Sequence, residues 1–171
     1  FQELFIGPDA FRAFRTYLPL LKQDIRSTKF RLSAPKGYPD GWRTPRNWSL
    51  DGPSPFEAQR ILDPEPNAAK VRDILARFHR RFPDLPKPRL KKAWAGMIDT
   101  MPDVVPVVDR VAAIPGLVVA TGMSGHGFGI GPAFGRIAAD LAQGKTPGHD
   151  LTRFRLSRFS DGSPIDVAVD V

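Results

Sequence analysis

The sequence predicts an α+β fold in which short strands of a mixed or antiparallel sheet pack against helices. Three observations carry this reading. Residues 116–144 read as a buried strand, a glycine-rich turn and a helix. Val71, Ile74, Leu75, Phe78 and Phe82 recur at helical spacing, and residues 29–33 and 104–108 have strand patterns. The 18 prolines among 171 residues add many loops and extended segments.

In chain order, residues 1–6 are apolar and suit a strand end or a helix entry. Gly7-Pro8-Asp9 opens a helix with Phe11, Phe14 and Leu18 on one face, and Pro19 is expected to break or kink it. Residues 29–33 alternate polar and apolar, as a half-exposed strand does. Residues 34–55 form a loop punctuated by Pro35, Gly37, Pro39, Pro45 and Pro53, and a loop this long is often functional. It carries Tyr38, Arg43, Arg46 and Trp48. Two guanidiniums beside aromatics suit a substrate carboxylate, while a surface loop with one anchoring tryptophan fits the same residues.

Residues 56–62 are expected to hold a short strand centred on Arg60-Ile61-Leu62. Asn67 then caps an amphipathic helix whose apolar stripe runs from Val71 to Phe82, with Arg77, Arg80 and Arg81 near its negative end and His79 at the surface. Pro83, Pro86 and Pro88 end it. Residues 89–98 alternate loosely and predict a strand ending at Gly96. Val104, Val105, Val107 and Val108, interrupted by Pro106, predict another near an edge. Leu117 to Ala120 is an unbroken apolar run, as in a strand covered on both faces. Pro132 suits the first turn of the following helix and Gly144 its end, with Phe134, Ile137, Ala138 and Leu141 as the buried stripe. Beyond Gly144 the chain reads as loop, with 154–156 strand-like, a turn at 161–164, and 165–171 of strand composition.

Composition excludes some chemistry. There are no cysteines, so disulfides, thiolate metal sites and cysteine nucleophiles are absent from this chain, and three scattered histidines argue against a metal centre. No apolar span of about 18 residues and no signal-peptide pattern is visible, so a cytoplasmic protein is expected. The chain opens on Phe1 rather than methionine, as expected of a processed or cut start. The net charge of +7 suits an acidic partner or surface, or a fragment whose missing part carries the balancing acids; the dispersal of the basic residues favours the fragment.

Chemistry is expected in the turn. Gly122, Gly125, Gly127, Gly129 and Gly131 leave the backbone open to a flat or anionic ligand, and the following helix aims its positive end there. A tight, ligand-free loop is the competing reading. Residues 129–135 have a G-x-G-x-x-x-G form, but the strand ends too far upstream and too little chain follows for a dinucleotide-binding unit. Gly144-Lys145-Thr146 mimics the end of a P-loop, but Ala139 stands where its first glycine is needed.

Residues 120–128, Ala-Thr-Gly-Met-Ser-Gly-His-Gly-Phe, resemble the C-terminal flavin-binding signature of the FAD-dependent D-amino-acid oxidase superfamily, which includes glycine and sarcosine oxidases and D-amino-acid dehydrogenases. Residues 94–99, Trp-Ala-Gly-Met-Ile-Asp, with Pro102-Asp103 and Pro106, make a second match. The tail from Gly144 through Asp150 to Phe154-Arg155 makes a third. Order and spacing agree across 94–159, and more weakly back to about residue 1.

The resemblance implies that 1–112 is part of a substrate-binding domain. It implies that 113–145 is the last strand, flavin loop and helix of a Rossmann-like FAD domain, and that 146–171 is a tail. The chain is then a fragment of a larger two-domain fold, completed by the N-terminal FAD-binding half of the same protein, which would hold the ADP moiety. The implied activity is hydride transfer from an amino acid or amine α-carbon to flavin, and the fragment alone is expected to be inactive. Met123, Ser124, Gly125, His126, Gly127, Phe128 and Gly129 would line the flavin edge, with Gly96, Met97 and Ile98 approaching from the second motif. The matched motifs supply no catalytic residue.

His126 reads as a proton donor or, more simply, as a packing residue. Sarcosine oxidases carry a flavin-linked cysteine at the position of Gly96, so FAD is expected to be non-covalent here. They carry a lysine at the position of Gly129, which puts oxygen activation and the carboxylate contact in doubt and favours a dehydrogenase. Met101 replaces a usual threonine. The amino acid is the expected partner, and nucleic acid is not. A basic binding module built on Arg77 to Lys92, or a flavoprotein subunit without catalysis, are the rival readings.

Overall fold

The computed structural model describes residues 2–26, 28–32 and 41–167. The chain divides into two compact units, Phe1–Ser33 with Ile98–Val171, and Ala34–Met97.

In the first unit, β1 (Gln2–Phe5) and β2 (Thr28–Arg31) pair in parallel, Gln2 facing Thr28 and Phe5 facing Arg31. A parallel pair needs a crossover, and α1 (Pro8–Arg12) and α2 (Phe14–Asp24) provide it. The break falls at Ala13, whose φ of −89° and ψ of 1° leave the helical region. It does not fall at Pro19, which lies inside α2. Pro19 is exposed, so the carbonyl facing its ring keeps access to water.

The second sheet of this unit is a hairpin of β3 (Val107–Arg110) and β4 (Val118–Thr121), antiparallel, with Val107 opposite Thr121 and Arg110 opposite Val118. Among the described residues the valine strand lies at an edge as expected, since the ribbon is two strands wide, yet it is not exposed. Val107 and Val108 face opposite sides of the ribbon and both are 0% exposed. Helix α5 (Gly127–Ala142) packs on both strands, and 3-10 turns at Thr152–Phe154 and Leu156–Phe159 pack on β3. Val108, Phe134 and Ile137 form the buried cluster, joined by Met123, Ile130, Ala138, Leu141, Leu151 and Phe154. The stripe read from the sequence is thus the buried face of α5. The Phe134 and Phe154 rings meet edge to face at 5.4 Å, tying the tail to the helix.

Helix α5 begins five residues earlier than Pro132 suggests. The His126 carbonyl accepts the N–H of Gly129 (3.1 Å) and of Ile130 (3.3 Å), which closes the first turn there. Pro132 is then interior but exposed, and its missing N–H leaves one solvent-facing carbonyl without a helical partner.

A buried ion pair fixes the tail. Arg158 Nε and Nη2 donate to Asp103 Oδ2 and Oδ1 at 2.6 and 3.1 Å, and the side chains are 7% and 8% exposed. Nη2 also donates to the Val105 carbonyl, Nη1 to the Arg155 carbonyl, and the Val105 N–H donates to Asp103 Oδ1. The guanidinium lies 4.2 Å from the Phe159 ring centre. The strand expected at 154–156 is replaced by the 3-10 turns that deliver Arg158 to Asp103. Residues 165–167 form no strand, and 168–171 lie outside the described residues.

In the second unit, α3 (Pro55–Ala58) takes the start of the stretch expected to be a strand, and residues 60–62, its expected centre, lie in no helix or strand. Ser54 and Glu57 form a reciprocal capping box, Glu57 N–H to Ser54 Oγ at 3.2 Å and Ser54 N–H to Glu57 Oε2 at 2.7 Å. Helix α4 (Ala68–Arg81) has its Asn67 cap, with Oδ1 accepting the Ala69 and Lys70 N–H groups at 3.0 and 3.1 Å. His79 is half-buried rather than at the surface, and its Nδ1 is shielded without a hydrogen-bond partner among the described residues. Residues 89–98 make no strand: their alternation finds no partner strand among the described residues.

Arg158→Met should destabilise the intact protein by about 3–5 kcal/mol, because it strands a buried carboxylate, and Asp103→Leu combined with it should recover part of that loss. Urea denaturation of the single and double variants checks this. A second expectation concerns the tail turn. The Asp161 carboxyl is held down to about 2 by the Ser163 hydroxyl and N–H and by Arg155. A depressed folded-state pKa stabilises above the ordinary carboxylate range and is lost as pH falls through the folded value. NMR titration of the Asp161 carboxyl should therefore show a midpoint near about 2, rising in Arg155→Met.

Candidate flavin loop

Strand β4 delivers the chain to residues 122–126, and α5 takes it away at Gly127. The five-residue link turns through three left-handed positions, Gly122 (φ 71°), Ser124 (φ 49°) and Gly125 (φ 88°). Gly122 has a second constraint. A Cβ there would lie 2.2 Å from both Cγ and Sδ of Met101. The methionine in place of the expected threonine therefore fills the space above Gly122 with a side chain, while its N–H donates to Ser124 Oγ at 3.1 Å.

The segment before β3 holds the loop. Asp99 Oδ2 accepts the Thr121 hydroxyl and the Gly122 N–H, each at 2.8 Å, and the Asp99 carbonyl accepts the Ser124 N–H at 2.9 Å. Ser124 Oγ donates to the Gly122 carbonyl at 3.1 Å. From α2, the Tyr17 hydroxyl donates to the Thr100 carbonyl at 2.8 Å. Burial raises the Tyr17 pKa above its usual value, and the charges of Asp99 and Asp103 push it the same way. Sequence reasoning quoted Asp99 as part of a motif but gave it no task. The signal lay in an acid 22 residues before a Thr-Gly pair, which nothing local marks.

The residues singled out from the sequence fall as follows. Met123 packs its side chain against the core cluster beneath α5. His126 is the N-cap, half-buried, and gives no side-chain cap bond. The N–H groups of Gly125, Gly127 and Phe128 have no acceptor among the described residues. Open space lies over Gly129, and Phe128 is fully exposed, so neither covers these amides. Ile98 comes to the loop, its Cγ2 4.0 Å from where a Gly125 Cβ would stand. Gly96 and Met97 end the second unit. Arg43, Arg46 and Trp48 also belong there, on an exposed loop where Trp48 meets Phe56 edge to face at 5.8 Å. Tyr38 lies outside the described residues. No cluster of metal-ligating side chains occurs among the described residues.

This arrangement fits one edge of a planar, electron-rich ring. Unpaired amides at a helix N-terminus suit carbonyl or anionic acceptors, and glycines without Cβ allow close approach. A shallow groove of about 410 Å³ at the other end of α5, lined by Arg110, Pro115, Leu117 and Leu141, is separate from the loop. Its Arg110 guanidinium already donates to the Leu141 carbonyl.

Gly122→Ala should disorder the loop through both the Met101 clash and the positive φ. In a Met101→Ala background only the backbone term, about 1–2 kcal/mol, should remain. A double-mutant cycle by chemical denaturation of the intact protein checks this.

The N-methyl-L-tryptophan oxidases of Salmonella newport (strain SL254) and Salmonella arizonae are 53% and 52% identical to this chain over 62 residues. That span is 36% of this chain and 17% of each relative. The structure of L-amino acid deaminase from Proteus vulgaris superposes with a TM-score of 0.80 at 28% identity, covering 92% of this chain and 36% of that one. The L-amino acid deaminase from Proteus myxofaciens, in complex with anthranilate, gives 0.82 and 29%, over 93% and 35%. The chain thus spans about a third of the solved relatives it matches, with their mixed α/β fold. Residues 25–141 match the family model described as FAD dependent oxidoreductase, DAO, and the chain belongs to that family.

Proposed function

We propose that the intact protein is an FAD-dependent oxidoreductase acting on the C–N bond of an amino acid or N-substituted glycine. The observation that carries this is the set of amides at Gly125, Gly127 and Phe128, at the start of α5, that have no acceptor among the described residues. The family is FAD-dependent, and the named relatives are amino-acid oxidases and deaminases.

When bound, FAD supplies the acceptor for a hydride from the substrate α-carbon. This chain's part is to hold and polarise. The amides of Gly125, Gly127 and Phe128 would donate to the pyrimidine edge of the ring. The α5 dipole would favour negative charge there by about 0.3–1 kcal/mol if exposed and up to about 2 if partly buried. Gly129 would let the ring approach, and Gly96, Met97 and Ile98 would supply a second contact. Attachment is non-covalent in this reading, because Gly96 stands at the position of the flavin-linked cysteine of sarcosine oxidases. Arg43, Arg46 and Trp48 would meet the substrate carboxylate, as fits a relative solved with anthranilate, an aromatic carboxylate.

In this reading 1–112 belongs to the substrate side, 113–145 to the FAD side and 146–171 to a tail. The ADP half of the cofactor is held by sequence outside this chain. The exposed Leu90, Trp94 and Ile98 support completion by further polypeptide. Among the described residues no helix is long and apolar enough to cross a membrane. Glycine at position 129 favours an electron acceptor other than oxygen.

The test is the visible absorption spectrum of the intact protein, before and after candidate amino acids are added without oxygen. Flavin bands that bleach on addition are expected, and residues 1–171 alone should bleach with none. An intact protein with no flavin, retained on heparin with a steep salt dependence, would instead identify a basic binding module. Bound flavin that no amine or amino acid bleaches would identify a subunit without catalysis.

A further inference from the structure

Nothing in the flavin reading gives Asp99 a task, yet its position is the most constrained around the loop. Three bonds converge on this one residue, from Thr121, Gly122 and Ser124, and Ser124 Oγ accepts a fourth from the Met101 N–H. The segment that follows Asp99 is itself fixed at two points, by Tyr17 at Thr100 and by Arg158 at Asp103. Asp99 therefore transmits the position of a held segment to a loop with little rigidity of its own.

That loop needs outside support. Ser124 at φ 49° is a left-handed non-glycine residue, which persists only where its surroundings over-determine it. The amides that follow it at 125, 127 and 128 have no acceptor among the described residues to fix their direction.

We infer that Asp99 is a positioning residue for the flavin loop: its carboxylate holds Thr121 and Gly122 so that the amides of Gly125, Gly127 and Phe128 face the ring in one preset geometry. The role rests on the flavin reading above. Asp99 acts through the loop and not on the ring. Without it, binding would have to order the loop itself, and affinity would fall by that cost.

The experiment compares Asp99→Ala and Asp99→Asn in the intact protein. It reads amide exchange at Gly122 without cofactor, the FAD dissociation constant, and the shape of the bound flavin's visible spectrum. In Asp99→Ala, exchange at Gly122 should quicken and FAD should bind roughly tenfold more weakly with an altered spectrum, since charge-assisted bonds are lost. Asp99→Asn keeps an acceptor oxygen for Gly122 and should return affinity and spectrum to within about threefold of wild type. Thr121→Val, which removes one donor and keeps the carboxylate, should fall between them and stands in if Asp99→Ala does not fold. A spectrum and affinity unchanged in Asp99→Ala overturn the role. So does an Asn variant as impaired as Ala. Absence of FAD from the wild type overturns the flavin reading and this role together, whereas faster Gly122 exchange with undiminished FAD binding overturns the role alone.

Discussion

The pairing of Asp103 with Arg158 is the constraint on which the rest of the first unit depends. Both charges are almost wholly withdrawn from water, and every strong donor and acceptor they carry is used. Burial of such a pair costs desolvation that its attraction only partly offsets, so its contribution is one of geometry. It joins residues 55 apart and sets the start of β3 against the tail. Were the tail held only by the Phe134–Phe154 contact, the approach to β3 would have a hydrophobic neighbour but no fixed register.

From that fixed point the arrangement runs in one direction. The 99–103 segment is immobilised at Asp103, Met101 lies over Gly122, and Asp99 grips the turn beyond β4. The turn can then hold a left-handed serine and end in a helix whose first amides are unspent. Strand β3 sits between these devices with both faces covered, which suits a strand that must not shift. The charged pair, the methionine and the carboxylate use alternate residues of one short segment, 103, 101 and 99, so the turn is built by the chain before β3 as much as by the glycines.

Much of this was legible. The 3.6-residue spacing and Asn67 placed α4, and the run 117–120 placed β4. Phe134, Ile137, Ala138 and Leu141 gave the buried face of α5 because core packing preserves period. What failed shares one cause. Residues 89–98 alternate as a strand would, but alternation needs a partner. Pro132 looked like a helix start because proline favours that place, yet an exposed carbonyl in water makes an interior proline tolerable. Ser54 and Glu57 are a readable capping box that the apolar residues after them obscured. Asp99 and Asp103 stood inside a recognised motif, but their work is tertiary, with Thr121 and with Arg158, and no local pattern encodes it. The turn between β4 and α5 was legible through its glycines, while what braces it was not.

The β3–β4 ribbon is two strands wide among the described residues, so the outer backbone groups of each strand have no ladder beside them. Such margins template further strand pairing. A preparation of this chain therefore carries margins that can pair with their own kind, and that self-pairing grows with the concentration at which the chain is held.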